Sequence, residues 1–316
     1  MKEMNSWSEE DRFSGAPDWV FPEPWPVLPE EMKQFRLSHV IGKGSTGTVY
    51  HATQLLEYAV KVIPWEAPEQ LSAACRDYEI SKIFADSGKT VRPVACYKNE
   101  GQLFIVQELG EASLDFFAWR KCPLREVLQV LLETADALEY IQEKGYTHFD
   151  VKPQNIIIVN GTARIGDFSH CRETGYPVYE KQTGTAAFRA PEIVKGEQCS
   201  GKEDMYSLGI TMYALLMGGR VPFEIPENGE FRRGPEDQIR TLFIHPDLLK
   251  IIQKAAAFRP GERFSSFRDF AEAIRDFMKQ YADCLEEEIP AYRIPRPVNK
   301  TIPPFTDRAM DKSILS

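Results

Sequence analysis

The sequence has no pair of cysteines at C-x-x-C spacing and no internal repeat, and no apolar run approaches the ~20 residues of a membrane helix. Its six cysteines, Cys75, Cys96, Cys122, Cys171, Cys199 and Cys284, are scattered, which fits reduced thiols packed as small side chains better than a disulfide framework or a zinc site. The opening, MKEMNSWSEEDRF, lacks the basic-then-apolar plan of a signal peptide. A cytosolic protein without a membrane span is the expectation. A surplus of positive charge is also missing: 38 Lys and Arg face 47 Asp and Glu, for a net charge of -9. That balance argues against broad electrostatic binding to nucleic acid or to an anionic membrane.

What is present is an ordinary globular composition, 43% hydrophobic and 27% charged, over 316 residues. That length exceeds a usual single hydrophobic core, so two lobes or two domains are expected. Residues 1–33 set Trp7, Trp19 and Trp25 among prolines and read as an extended arm that packs onto something. From 34 to 110 the runs FRLSHVI, GTVYHAT, EYAVKVI, TVRPVACYKN and QLFIVQEL predict five strands, with one helix over 70–84. Between 111 and 281 the pattern is helical: LREVLQVLLETADALEYIQEK carries apolar residues at 3/4 spacing between Pro123 and the capping Gly145, and three more such segments follow. Residues 282–316, rich in proline and charge, read as an extended tail.

Chemistry gathers at a few points. IGKGSTGTVY sets Gly42, Gly44 and Gly47 between two strands, where missing Cβ atoms let backbone N–H groups approach a polyphosphate. A strand rather than a helix follows, which excludes a Rossmann or Walker A loop. Lys61 in AVKVI alternates with Val60 and Val62, so its ammonium leaves the strand on the face opposite the two valines. Glu79, on the only helix of the first lobe, is the expected inward partner of Lys61. THFDVKPQN then places Asp150, Lys152 and Asn155 in one turn, and IGDFSH adds Asp167. Carboxylate and amide oxygens suit a hard divalent ion, and a nearby ammonium offsets charge on a transferred group.

The order of these motifs resembles that of eukaryotic-type, Ser/Thr-directed protein kinases. The resemblance spans roughly residues 35–281 and implies a bilobal α+β fold, a small antiparallel sheet lobe with one helix and a larger, mainly helical lobe. It implies transfer of the γ-phosphoryl group of Mg-ATP to Ser or Thr hydroxyls of protein substrates, with Asp150, Lys152, Lys61 and Glu79 as the catalytic set and Asn155 and Asp167 as Mg2+ ligands. Around the nucleotide it implies Ile41, Gly42, Gly44, Gly47, Val49, Ala59, Lys61, Glu108, Gly110 and Ile157, with Gln107 as gatekeeper and Ser113 near the ribose. GTAAFRAPEI resembles the end of the family's activation segment, with Thr185 beside the catalytic pair, Glu192 paired with Arg263, and Asp204 supporting the catalytic loop.

Two positions depart from the family pattern. Phe149 stands where arginine usually docks the activation-loop phosphate, so it is expected to pack, with His148 a core histidine and activity independent of phosphorylation at Thr174, Tyr176, Tyr179 or Thr183. Ser169 replaces the glycine of D-F-G and should make that loop less mobile. Both departures keep open a rival in which the chain is an ATP-binding scaffold without catalysis. A small-molecule kinase is disfavoured by the A-P-E segment and Arg263. The arm and tail are expected to dock on the domain or on a partner, and Arg232-Arg233 reads as a solvated loop.

Overall fold

The computed structural model describes residues 26–286 apart from 30–31, 33–34, 45, 54–56, 100, 118–121, 176–183, 198, 223–238 and 240–243. The three arm tryptophans, the tail from 287 onward, Tyr176, Tyr179, Thr183 and the Arg232-Arg233 pair therefore lie outside the described residues.

The first lobe is a five-stranded antiparallel sheet made of β1 (Arg36–Lys43), β2 (Thr48–Thr53), β3 (Glu57–Pro64), β4 (Pro93–Asn99) and β5 (Gln102–Glu108), in the order β1-β2-β3-β5-β4. One helix, α1 (Pro68–Phe84), packs on it. Pro68 opens the helix, and the side-chain carbonyl of Gln70 turns back to accept the Glu66 and Ala67 amides at 2.7 and 3.2 Å. The period-2 alternation of β3 decides what each sheet face meets. Val60 and Val62 join Tyr50, Ala52, Phe104 and Val106 on the outer face. Ile63, Leu103 and Ile105 lie on the other face, beneath Ala74 of α1.

The outer face is covered by the chain that leads into β1. Met32 is fully buried there, with Leu28 and Phe35 beside it, and Asn99 Nδ2 donates to the Val27 carbonyl at 3.1 Å. Packing of the N lobe thus begins before the boundary expected between residues 33 and 34, because the apolar sheet face needs those side chains as its cover. At the other end Leu285, 2% exposed, belongs to the second core, and its carbonyl accepts the Arg125 amide at 2.9 Å. The folded C lobe therefore runs a few residues past 281.

The second lobe opens with β6 (Ala112–Ser113), α2 (Leu114–Phe117) and α3 (Leu124–Glu143). Next come β7 (Tyr146–Thr147), β8 (Ile156–Val159), β9 (Thr162–Ile165) and β10 (Arg172–Glu173), then α4 (Pro191–Lys195), α5 (Glu203–Leu216), α6 (Pro246–Ala255) and α7 (Phe267–Gln280). Gly145, just past α3, has φ 83°, the left-handed geometry for which its missing Cβ fits it. Helix α5 is buried at every position, polar ones included, and packs against α2, α3 and α6, while α7 packs on α3 and α6. The lobes meet where Val91 and Ile165 extend backbone hydrogen bonding from the α1–β4 connection to β9, the Val91 amide donating to the Ile165 carbonyl at 2.8 Å. They meet again where the Phe84 ring of α1 packs, tilted by 34°, against Phe168 with centroids 5.2 Å apart.

Candidate active site

Asp150 is 4% exposed, and three groups of the second lobe converge on it. Its Oδ1 accepts the Thr185 amide at 2.7 Å, and its Oδ2 accepts Asn155 Nδ2 at 2.9 Å and faces Lys152 Nζ at 3.0 Å. Lys152 Nζ also donates to Thr185 Oγ1 at 2.6 Å, which closes a ring through Asp150, Lys152 and Thr185. Burial works to raise the Asp150 pKa, but Lys152 and His170 overcome it and hold the carboxyl below its ordinary value. A carboxylate kept ionised, with an ammonium and a threonine hydroxyl beside it, can accept a proton from a hydroxyl delivered to it.

The loop carrying Asp150 is held from below by α5. Asp204 accepts the backbone amides of His148 and Phe149 at 2.6 and 2.8 Å, which fixes Phe149 at φ 65°, a conformation that costs a bulky residue strain. Phe149 is buried, as its lack of charge suggested, and its carbonyl leaves no room for a Cβ on Gly184, which would sit 2.1 Å away. His148 is fully buried: its Nδ1 accepts the Asp150 amide at 3.2 Å, which leaves Nε2–H to donate to the Gly166 carbonyl at 3.1 Å. Burial depresses its pKa, so it stays neutral and structural.

Asp167 lies at the seam between the lobes, with φ 59°. Its Oδ1 accepts Lys61 Nζ at 2.8 Å, and Lys61 Nζ donates at the same distance to Asp77 Oδ2. Here the expectation for Glu79 fails. Glu79 is exposed and pairs with Lys82 one turn along at 2.6 Å, while Asp77 is the buried acid of α1. The reason is helical phase: Ala74, Asp77, Ser81 and Phe84 share the inward stripe, and a residue two positions from Asp77 is turned about 200° away from it. The other Asp77 oxygen accepts the Phe168 amide at 2.8 Å, so one short carboxylate ties Lys61 to the segment after Asp167. Burial alone would lower the Lys61 pKa, but Asp167 and Asp77 raise it above its ordinary value. The same contact holds Asp167 well below the usual carboxylate range, against the opposing effect of burial.

Part of the expected nucleotide set shares one sheet face. In register Lys61 stands opposite Val49 and Ile105, and Ala59 stands opposite Gln107. Directly opposed residues point the same way, so Val49, Ala59, Lys61 and Gln107 lie together on the cleft side. Gly110 touches Ile157 of β8: a Cβ there would come within 2.2 Å of Ile157 Cγ2. The glycines of the first hairpin differ in role. Gly47 is required by packing, since its Cβ would lie 2.5 Å from the Val62 carbonyl oxygen, whereas a Cβ on Gly44 would meet nothing within 4 Å among the described residues, and its amide closes the turn onto the Gly47 carbonyl at 2.9 Å. Ile41 falls at a register shift between Val40 and Gly42 and is 42% exposed. The Glu108 side chain is engaged within the protein by Arg164, whose Nη1 reaches both carboxylate oxygens at 2.7 and 2.9 Å, and by the Arg92 amide. Only its backbone is left to meet a ligand. Ser113 donates to Asp115.

Glu192 and Arg263 form a buried bidentate pair at 2.5 and 2.7 Å, joining α4 to the loop before α7. Among the described residues no three His, Cys, Asp or Glu side chains gather as a closed metal site. Asn155 and Asp167 are nevertheless neighbours, since the Asn155 carbonyl accepts the Gly166 amide at 2.9 Å. An amide and a carboxylate oxygen donor fit Mg2+, which takes a few protein oxygens and completes its shell with phosphates and water.

A two-lobed α+β fold with an ammonium and two carboxylates at the seam is the architecture of phosphoryl-transfer proteins of the kinase type. The family model of the protein kinase domain matches residues 35–287, and the chain belongs to that family, of the Hanks type. It is 27% identical over 212 residues to the mitosis inhibitor protein kinase wee1 of Schizosaccharomyces pombe, covering 63% of this chain and 24% of that protein. Over 284 residues it is 27% identical to the serine/threonine-protein kinase PknK of Mycobacterium tuberculosis, covering 83% of this chain and 25% of the other. With PknJ of the same organism it shares 28% identity over 264 residues, 76% of this chain and 44% of the relative. The chain thus spans from a quarter to less than half the length of these relatives.

Proposed function

We propose that this protein is a Ser/Thr kinase that transfers the γ-phosphoryl group of Mg-ATP to hydroxyls of protein substrates. The observation that carries the reading is the convergence of Lys152, Asn155 and Thr185 on Asp150, with Lys61 joined to Asp167 across the lobe seam. Lys61, fixed by Asp77, orients the nucleotide phosphates. Asp150 accepts the hydroxyl proton as the substrate oxygen bonds to the γ-phosphorus and the bond to the β-phosphate oxygen breaks, leaving ADP and a phosphoester. Lys152 offsets charge on the group in flight. Asn155 and Asp167 would hold Mg2+, which when bound neutralises charge on the phosphates. The room over Gly42 and Gly44 accommodates those phosphates, and the Val49, Ala59 and Ile157 side chains with the backbone of Glu108 to Gly110 accommodate adenine.

Docking of the activation segment without a phosphate–arginine contact is supported by Thr185 on Asp150, Gly184 against the Phe149 carbonyl, and Arg189 donating to the Gly184 carbonyl at 2.5 Å. Activity is therefore independent of activation-segment phosphorylation, and a variant with Thr174, Tyr176, Tyr179 and Thr183 all made non-phosphorylatable keeps it. The covering of the outer sheet face by Leu28 and Met32 supports packing of these last residues of the arm on the domain.

The test is transfer of labelled phosphate from ATP with magnesium to the protein itself and to a generic basic acceptor. Wild type should transfer, and Asp150→Asn and Lys61→Met should not. Folded wild type that binds ATP and modifies no acceptor would favour the scaffold reading.

A further inference from the structure

Ser169 does something that glycine in its place could not. Its Oγ donates to Asp167 Oδ1 at 2.7 Å, and its backbone amide points to the same oxygen at 3.4 Å. An ionised carboxylate only accepts, so the hydroxyl is the donor. Lys61 Nζ reaches that oxygen too, at 2.8 Å. The hydrogen bonds of Asp167 among the described residues thus all fall on Oδ1, and none of them engages Oδ2. Ser169 is itself held: the Phe168 amide before it is bound by Asp77 at 2.8 Å, and Arg172 donates to its carbonyl at 3.0 Å and to that of Cys171 at 2.7 Å. A fixed serine hydroxyl on a fixed carboxylate is the arrangement by which outer partners orient metal ligands.

We propose that Ser169 is a positioning residue that divides the labour of the Asp167 carboxylate, pinning Oδ1 with Lys61 so that Oδ2 is presented to the divalent cation of the nucleotide complex. The inference rests on the kinase reading of the site. In a glycine-bearing site that carboxylate has one fewer donor and more rotational freedom, and binding the cation must restrict it.

The experiment is a calorimetric titration of Mn2+ into full-length protein saturated with a non-hydrolysable ATP analogue, for wild type, Ser169→Ala, Ser169→Gly and Ser169→Thr. Affinity for the analogue is measured separately without metal. Cation affinity is expected to fall about tenfold in both Ala and Gly variants, to be retained in Ser169→Thr, and to change while metal-free affinity for the analogue stays at the wild-type value. Using two unlike replacements separates loss of the hydroxyl from effects on the loop backbone. Equal cation affinity in wild type, Ala and Gly overturns the inference and leaves the kinase reading standing, as does a loss shared by Thr. Wild type that binds neither analogue nor cation overturns the kinase reading, and this inference with it.

Discussion

Asp150 and Asp167 are both ionised carboxylates at the same cleft, yet they are held in different ways. Asp150 is fixed entirely by the second lobe, through Thr185, Asn155 and Lys152. Asp167 takes its main partner, Lys61, from the first lobe, and that lysine depends on Asp77 of α1. The first carboxylate is therefore ready whenever the C lobe is folded. The second is ready only when the lobes and α1 are in register, which makes the seam the place where activity can be tuned.

The largest effect should come from the side that is always ready. Asp150→Asn removes the proton acceptor, keeps the fold, and is expected to reduce phosphate transfer on the order of 10³-fold while nucleotide binding persists. Next comes the bridging side: Asp77→Ala frees Lys61 and the Phe168 amide together, with an expected loss on the order of 10²-fold from misplacement. Glu79→Ala, two residues away and facing solvent, should leave the rate within about twofold, since an exposed ion pair contributes little. Steady-state rates of the two α1 variants side by side decide whether the bridge runs through Asp77.

Met32→Ala acts on one lobe alone. It empties a fully buried site on the outer sheet face and should cost about 2–5 kcal/mol by denaturant unfolding. The smallest effect concerns pH. His148 has a folded pKa below its ordinary 6.5, so unfolding takes up a proton below that value, and its contribution to stability is present above pH 6.5 and declines as pH falls. His148→Gln should flatten part of the decline in melting temperature between pH 7 and 5, while the Asp150 and Asp167 contributions, both from depressed pKa values, persist until more acidic pH.

Much of this was legible beforehand because the signals are local. Alternation around Lys61 separated its face from that of Val60 and Val62, and the apolar spacing of α3 ended at Gly145 as the structure ends it. The clustered Asp150, Lys152 and Asn155 were readable for the same reason, since one turn of chain brings them together. What escaped is what depends on phase or on distant pairing. Asp77 was hidden because its stripe on α1 is broken by polar residues, Asp77 and Ser81, that weaken the periodic signal. Attention to Ala74 and Phe84, three before and seven after it, could have found it. No sequence spacing could show that the Glu108 side chain pairs with Arg164, fifty-six residues on, or that the Ser169 hydroxyl turns onto Asp167.

The most direct test is phosphate transfer from γ-labelled ATP with magnesium to a generic basic protein, followed by identification of the labelled amino acid, for wild type, Asp150→Asn and Asp77→Ala. The account predicts phosphoserine or phosphothreonine with wild type, about 10³-fold less with Asp150→Asn, and about 10²-fold less with Asp77→Ala. Label appearing undiminished with Asp150→Asn, or absent with folded, nucleotide-binding wild type, would contradict it.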